Sequence, residues 1–188
     1  GQQFAAFTST QVDAFDTTHI NVITGTQLGA MGATNFSSLS ATPVLALSTT
    51  QMQGLTTTEL KGLSTTDIGE FADTQIAALS STQLGALSAT SFSVLSTTEI
   101  SGLSPTQLKG VTTAQLSGLT STALSNLSST QIGQLSTAQI GALNTTNLGN
   151  LATTQVSGLS ATQVASLSNT NLGALNATSV ATLNATQI

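Results

Sequence analysis

The chain has 188 residues, of which 5% are charged and 39% are apolar, with a net charge of −5. Soluble domains usually carry about 25% charged residues, so the composition is strongly biased, yet it holds too much apolar material for a disordered chain. The two basic residues, Lys61 and Lys109, exclude the clustered positive surface that nucleic-acid binding needs.

Composition also argues against membrane insertion and thiol chemistry. No apolar run approaches the roughly 18 residues of a spanning helix, and two lysines give little hold on an anionic lipid surface. Cysteine is absent. A chain without cysteine and almost without lysine is typical of large exported bacterial proteins, so we expect an extracellular or cell-surface location.

An eight-residue repeat runs through the whole sequence. Counted from Thr8, 22 complete octads are followed by a partial one at residues 184–188. With the positions numbered slot one to slot eight, the consensus is S/T-x-T-Q-[ILV]-x-x-L. Slot five is apolar in all 23 copies, and slot three is Thr in 21 of 23, the exceptions being Ala114 and Ala138. The unbroken register predicts one continuous repeat domain over residues 1–188, a segment of a longer array or filament.

Each octad begins with the signals of a helix N-terminus. Slot one is Ser, Thr, Asn or Asp in 20 of 23 copies, the residues whose side-chain oxygens cap helices. Slot four is Gln or Glu in 14 of 23, which is the capping-box spacing. The preceding slot eight and slot five have the spacing of a hydrophobic staple, as in Leu127 and Ile132.

The later slots and the prolines agree with a short helix. Pro105 falls in slot two, the first helical position, and Pro43 falls in slot four, within the first turn. Neither place requires an intrahelical N–H donor. Glycine and other small residues dominate slots six and seven, where we expect the helix to stop and the backbone to turn. The sequence therefore predicts an all-α repeat solenoid with one short capped helix per octad.

Two other folds compete with this prediction. A single long helix is disfavoured because its apolar pair would drift by about 80° per octad. A β-solenoid with one octad per side and 24-residue coils stays open, because threonine favours strands. Leu124, Leu148 and Leu172 alternate with pairs of β-branched residues at equivalent slots, which indicates a period of three octads. Slots five and eight, however, would face opposite sides of a strand.

No octad can fold alone. Its two large apolar side chains contribute roughly 1.5–3 kcal/mol each when buried, whereas ordering eight residues costs about 1.5 kcal/mol each. Stacked octads share an apolar spine, so stability accumulates with repeat number. The predicted spine runs through slots five and eight, from Val12, Phe15, Ile20 and Ile23 to Leu183 and Ile188.

The side chains that could carry chemistry are few. His19 is the only histidine and occupies slot four, so we interpret it as a substituted cap. Glu59 and Asp67 occupy the same slot and receive the same interpretation. Asp67, Glu70 and Asp73 could in principle approach a Ca²⁺ ion, but they lack a glycine-rich calcium loop and a fourth ligand. The remaining carboxylates are Asp13, Asp16 and Glu99.

Residues 104–188 contain no carboxylate and no histidine. Acid–base or metal chemistry has no side chains to use there, and hydroxyls such as that of Ser160 lack an adjacent base. The glycosylation-like sequences at Asn144 and Asn176 are expected by chance in a chain so rich in Ser and Thr. We therefore predict no enzyme, no catalytic residue, no cofactor and no metal site.

The run LSSTQIGQLSTAQIGAL resembles the octapeptide tracts, S/T-x-x-Q-[ILV]-x-x-L, of large bacterial surface or secreted proteins of the adhesin-like kind. The resemblance implies an exported, elongated structural element, and no functional residues carry over from it. We expect a rigid extracellular filament, stalk or surface fibre that self-associates end to end or laterally. The alternative is an ice-binding or adhesive solenoid that presents a Ser/Thr-rich face, with Thr56 and Thr58 as an example of the S/T-x-T spacing.

Overall fold

A computed structural model describes residues 3–188, and every regular element among them is helical. A 3₁₀-helix at Phe4–Ala6 precedes 22 short α-helices, and no strand occurs in this range. The all-α prediction is confirmed, and the β-solenoid alternative is wrong for these residues. Contacts between helices divide the chain into two compact units, with the boundary between Leu95 and Ser96. A single continuous solenoid over residues 1–188 stays a prediction.

Each unit contains eleven consecutive helices, one per octad. Those of the first unit are α1 (Ser9–Asp13), α2 (Thr17–Val22), α3 (Gly25–Leu28), α4 (Ala33–Phe36), α5 (Ala41–Leu45), α6 (Thr49–Gly54), α7 (Thr57–Gly62), α8 (Thr65–Gly69), α9 (Asp73–Ala78), α10 (Ser81–Ala86) and α11 (Ala89–Ser93). Those of the second unit are α12 (Thr97–Gly102), α13 (Pro105–Gly110), α14 (Thr113–Ser117), α15 (Ser121–Ser125), α16 (Ser129–Gln134), α17 (Thr137–Gly141), α18 (Thr145–Gly149), α19 (Thr153–Ser157), α20 (Ala161–Ala165), α21 (Asn169–Ala174) and α22 (Ala177–Val180).

The helices begin with the capping geometry that the sequence predicts. At α6, the Ser48 Oγ accepts from the Gln51 N–H at 3.3 Å, and the Gln51 Oε1 accepts from the Ser48 N–H at 2.8 Å. These two backbone N–H groups at the start of the helix would otherwise lack a partner within the helix. The same reciprocal pair occurs at α1, α2, α3, α7, α8, α10, α12, α13, α14, α16, α17 and α20.

At α9 and α19 the cap is only half formed. Ala72 and Ala152 occupy slot one, so the slot-four glutamine accepts from the cap N–H but no side chain returns the bond. We expect Ala72→Ser to raise the free energy of unfolding by about 1 kcal/mol, because a serine N-cap satisfies one more N–H. Urea denaturation of the two proteins measures this difference. Ser80→Ala, at the start of the next helix, should lower the stability by a similar amount, and a change of the same sign in both variants would contradict the capping argument.

Each helix is followed by a two-residue corner. After α6, Leu55 in slot eight has φ −62° and ψ 133°, and Thr56 in slot one has φ −79° and ψ 155°. The slot-eight N–H still bonds the slot-five carbonyl, here Leu55 to Met52 at 3.2 Å. The backbone therefore turns at slots eight and one. Most helices end at slot six or seven, as the sequence predicts, but the backbone turn expected at those slots occurs later, at slots eight and one.

Successive coils are three octads long. In the first unit α6 packs on α3 and α9 packs on α6, and in the second unit α16 packs on α13 and α19 packs on α16. Helices that are three octads apart along the chain are therefore neighbours within each unit. The predicted period of three octads is present. The β-solenoid alternative assigned that period to coils of strands, whereas the coils consist of helices.

The core of each unit is the predicted spine of slots five and eight. Slot-five side chains such as Leu60 and Ile132 are fully buried, and slot-eight side chains such as Leu63 and Leu135 are 3% exposed. Phe15 is only half-buried, and Ile188 is 88% exposed. The spine is therefore confirmed except at Phe15 and in the last coil, where Leu172 and Val180 are each 40% exposed as well.

Small residues allow neighbouring helices to approach closely. A Cβ atom on Gly54 would lie within 3.0 Å of backbone atoms of Gly25 in the coil before it, and one on Gly158 would lie 2.7 Å from the carbonyl oxygen of Ser129. Both contacts join slot seven of one helix to slot two of the helix three octads earlier. The preference for small residues in these slots thus reflects backbone approach between coils.

Candidate functional site

The most regular polar feature is the slot-four glutamine at each corner. The Gln75 side chain is 2% exposed, and its Oε1 accepts from the Ala72 N–H of its own octad at 2.9 Å. Its Nε2 donates to the carbonyl oxygens of Val44 at 2.8 Å and Leu47 at 2.9 Å, where α5 ends. One amide therefore caps the start of its own helix and the end of a helix in the preceding coil.

The same amide bridge recurs along both units. Gln139, for example, donates to the carbonyl oxygens of Leu108 at 2.8 Å and Val111 at 2.6 Å. Bonds of this kind to a corner of the preceding coil are also made by Gln51, Gln83, Gln131, Gln155, Gln163 and Gln187. No buried side-chain nitrogen or oxygen atom in residues 3–188 lacks a partner.

This second role of the glutamine does not follow from the capping pattern. A capping box accepts either Gln or Glu at its fourth position, but only Gln also carries N–H donors. Slot four holds Gln in 12 copies and Glu in only two, and that imbalance is the signal that could have predicted a donor role. We call this arrangement the corner amide.

Shorter polar side chains in slot four make only part of the bridge. The Asn147 Nδ2 donates to the Leu119 carbonyl oxygen at 3.0 Å, and the Ser91 Oγ donates to that of Leu63 at 3.0 Å. Each reaches the slot-eight carbonyl of the earlier corner and makes no bond to the slot-five carbonyl. Ser91 therefore makes one inter-coil bond where a glutamine makes two, whereas the Asn147 Oδ1 also accepts from the Ser121 hydroxyl of the preceding coil at 3.2 Å.

The two buried carboxylates of slot four face donors instead of carbonyls. Glu59 is 2% exposed: its Oε2 accepts from Thr56, and its Oε1 accepts from the Gly32 N–H at 3.0 Å. Gly32 has φ 83°, a conformation that a side chain would strain. Asp67 accepts from the Ser64 N–H and from the Ser37 Oγ at 2.9 Å. The prediction that both residues cap helices is confirmed, and each carboxylate also receives a donor from the preceding coil, a backbone N–H for Glu59 and a side-chain hydroxyl for Asp67.

Asp67, Glu70 and Asp73 do not form a metal centre in the structure. No group of three or more His, Asp or Glu side chains in residues 3–188 is arranged to hold a metal ion. Burial raises the pKa of the Glu70 carboxyl above its ordinary value, and the neighbouring Asp67 charge raises it further. Glu70 is therefore more easily protonated in the folded chain than in the unfolded one.

Glu70→Gln should accordingly raise the free energy of unfolding at pH 7 by less than about 1 kcal/mol, since solvent screens the partly exposed group. A raised folded pKa costs stability above that pKa, and the cost disappears as the pH falls toward the unfolded value. Urea denaturation at pH 7 and pH 4 compares the variant with the parent. The gain should shrink at pH 4, and an equal or larger gain there would contradict the assignment.

His19 acts as the substituted cap that the sequence predicts. Its N–H donates to the Asp16 Oδ1 at 3.0 Å, its Nδ1 lies 2.6 Å from the same oxygen, and its ring stacks on Phe15 with centroids 5.4 Å apart. The His19 backbone N–H, with the imidazole, lowers the pKa of the Asp16 carboxyl.

Slot three lies on the exposed surface of the coils. Slot-three threonines are exposed on helices that stack, so they lie in rows with one hydroxyl per coil. In the first unit one row contains Thr26, Thr50 and Thr74, and in the second unit one row contains Thr98, Thr122, Thr146 and Thr170. The rows are uncharged.

Residues 112–145 match the ALTTAQ repeat. The matched stretch runs from the cap of α14 into the start of α18. The six letters of the repeat name correspond to slots seven, eight, one, two, three and four, and the octads at Thr112 and Ser136 carry Ala in slot three as the name does. No curated protein matches the chain. The protein is thus a tandem-repeat protein of helical solenoid architecture, whereas the adhesin-like resemblance stays a prediction.

The predicted lack of catalytic, cofactor and metal residues is tested by none of these observations and stays a prediction. Lys61 and Lys109 are exposed on α7 and α13. Among residues 3–188, no helix is both long and apolar enough to cross a membrane.

Proposed function

We propose that this repeat protein is a structural element of an extracellular filament, stalk or surface fibre, and that it extends by stacking of coils and by self-association. The observation that carries the proposal is the corner amide. Within each unit it joins a coil to the one before it with bonds that any further coil of the same sequence could repeat. Stability then grows with the number of repeats and needs no closed globular core.

The uncharged surface supports the same proposal. Two lysines and seven carboxylates are spread over 188 residues, and the exposed slots are mostly hydroxyl and amide groups. Charge repulsion ordinarily keeps soluble proteins apart, and little of it is available to this chain. Copies of the chain can therefore approach one another closely.

Sedimentation velocity and negative-stain electron microscopy of the purified chain test the proposal. We expect association that increases with protein concentration, and fibrous particles at the highest concentrations. A monodisperse monomer over the whole accessible concentration range would contradict self-association. Antibody labelling of intact cells of the source organism tests the location, and a signal only after lysis would contradict a surface structure.

Ice binding or adhesion through the Ser/Thr-rich face is a second candidate. The threonine rows favour it, because they place hydroxyl groups of one type at the regular spacing of the coils. A thermal-hysteresis assay on the parent chain and on the combined Thr26→Lys, Thr50→Lys and Thr74→Lys variant tests it. Ice shaping that the lysines abolish would support the candidate, and no ice shaping by the parent chain would remove the ice-binding form of it.

A further inference from the structure

A polar depression lies between two stacked coils of the first unit. Ser9, Thr10 and Asp13 of α1 line one side of it, and residues 37–40, which connect α4 to α5, line the other. Its volume is about 480 Å³, within the range of about 300–1,000 Å³ that small-molecule sites occupy. We call this depression the Asp13 pocket.

Serines in place of glycines account for the space between the coils. Slot seven of one helix faces slot two of the helix three octads earlier, and Gly54 and Gly25 in those slots let α6 approach α3 closely. The helices α4 and α1 also pack on each other, but the same slots hold Ser38 and Ser9. The pocket therefore follows from the packing of one coil on the next.

Pro43 leaves the polar groups of Ser40 without their usual partners. Because a proline has no N–H, the Ser40 Oγ makes no cap bond. Every other Ser, Thr, Asn or Asp in slot one of residues 3–188 makes such a bond. The Ser40 N–H donates to no atom of that range, since proline has no side-chain oxygen to accept from it. A hydroxyl and an N–H donor thus remain available at this wall.

Asp13 supplies an acceptor from the opposite wall. In slot six of a helix, the side chain faces the slot-four residue four octads later, as Ser37 faces Asp67 at 2.9 Å. Asp13 also occupies slot six, and the corresponding slot-four residue is Pro43, which offers it no donor. Its carboxylate makes no ion pair with residues 3–188, although it lies at the last residue of α1, where the helix dipole disfavours a negative charge. An unpaired carboxylate at an unfavourable position is available to a ligand.

The lining favours a neutral ligand with many hydroxyl groups. Its one charge is negative and disfavours phosphates and acidic sugars, and its one apolar residue, Leu39, is buried and offers little to an apolar ligand. The remaining side chains are hydroxyls, which both donate and accept. A Ca²⁺ ion takes about six to eight oxygen ligands, usually with several carboxylates among them, whereas this pocket contains one carboxylate.

We infer that the Asp13 pocket binds a neutral saccharide through hydrogen bonds. The two oxygens of the Asp13 carboxylate accept from neighbouring hydroxyls of the sugar, and the Ser40 N–H donates to one of its oxygens. The site requires neither self-association of the chain nor an ice-binding surface, so it goes beyond both candidate functions.

Nuclear magnetic resonance of the ¹⁵N-labelled chain detects the binding, since the chain has no Trp or Tyr for fluorescence. The probes are glucose, galactose, mannose and N-acetylglucosamine, each titrated to tens of millimolar. We expect at least one of them to shift the amide resonances of Ser40 and Asp13 with a millimolar dissociation constant. The affinity is low because a monosaccharide has only about a dozen non-hydrogen atoms, and no aromatic ring lines the pocket.

Asp13→Asn should weaken the binding at least about tenfold, because charge-assisted hydrogen bonds are replaced by neutral ones. The matched control, Asp73→Asn, removes an exposed carboxylate from α9 of the same unit and should leave the dissociation constant unchanged. Equal losses in the two variants, or no shift with any of the four sugars, would overturn the inference. Shifts of the same resonances with calcium chloride but with no sugar would overturn it in favour of a cation site.

Pro43→Gln separates binding from folding. As slot-four glutamines do elsewhere, the new side chain would accept from the Ser40 N–H, and its backbone N–H would bond the Ser40 Oγ. Its Nε2 would reach the carbonyl oxygens of Val12 and Phe15, the usual partners 31 and 28 positions earlier. We therefore expect the melting temperature to rise while sugar binding is lost. Binding that survives this substitution would show that Ser40 takes no part and would contradict the proposed site.

Discussion

Replacing Gln75 by Glu is expected to lower the free energy of unfolding at pH 7 by about 3–5 kcal/mol, the range for a buried charge left without its partner. The new carboxyl keeps the bond from the Ala72 N–H, but its other oxygen faces the carbonyl oxygens of Val44 and Leu47 in place of an N–H donor. Glu59 shows what a carboxylate at this slot needs, because it is supplied with the Gly32 N–H.

The penalty should depend on pH. Burial and the two facing carbonyl oxygens raise the pKa of the new carboxyl, and a protonated carboxyl can donate one hydrogen bond. A raised folded pKa means that the variant regains stability as the pH falls through that pKa toward the unfolded value of about 4.3. Urea denaturation between pH 4 and pH 7 measures the trend against the parent chain.

Gln11→Glu is the matched control for this substitution. Gln11 caps its own helix in the same way but is exposed, and its Nε2 bonds no carbonyl of residues 3–188. Its replacement should change the stability by no more than about 0.5 kcal/mol, as surface substitutions usually do. Equal losses in the two variants would show that the capping bond matters and the inter-coil bond does not.

Gly54→Ala is expected to destabilise the first unit by roughly 1–3 kcal/mol, the usual cost of overpacking. Its Cβ would press on backbone atoms of Gly25, which cannot move aside as a flexible side chain could. The helices α3 and α6 would have to separate, and the bonds of Gln51 to the Ile20 and Ile23 carbonyl oxygens would stretch with them. Thermal and urea denaturation report the loss.

Gly69→Ala, also at the last residue of a helix, is expected to have the opposite effect on stability. Both glycines are the last residues of their helices, but a Cβ on Gly69 meets nothing within 4 Å. This replacement should stabilise the chain by about 0.5–1 kcal/mol, since alanine loses less backbone entropy in a helix. A destabilised Gly69→Ala with an unaffected Gly54→Ala would contradict the close approach of the two coils.

Local signals in the sequence predicted the helices well. The capping boxes depend on two residues three positions apart, such as Ser48 and Gln51, so an eight-residue window contains all the information. Slot periodicity likewise identified the spine, including fully buried Leu60 and Ile132. The exceptions occur at Phe15 and in the last coil, at Leu172, Val180 and Ile188, where burial depends on a neighbouring coil and not on the octad itself.

Contacts between coils were predictable only in part. The period of three octads leaves a trace at Leu124, Leu148 and Leu172, but periodicity alone does not say whether strands or helices fill a coil. The corner amide joins residues 28 and 31 positions apart, a separation that no local rule covers. The small residues of slots six and seven were assigned to a turn, because a glycine that permits a turn and one that permits close packing look the same in a sequence.

Because a coil contains three octads, side chains in the same slot share a face of the coils only when their octads are three apart. Ala114 and Ala138 interrupt slot three on the neighbouring helices α14 and α17, three octads apart, so both substitutions fall in one row. Gain or loss of a single octad by unequal recombination would keep every capping box intact and yet move all later side chains of its unit to the adjacent face. Only changes by three octads would preserve the pattern of the surface, so a face under selection would allow the repeat number to change only by whole coils.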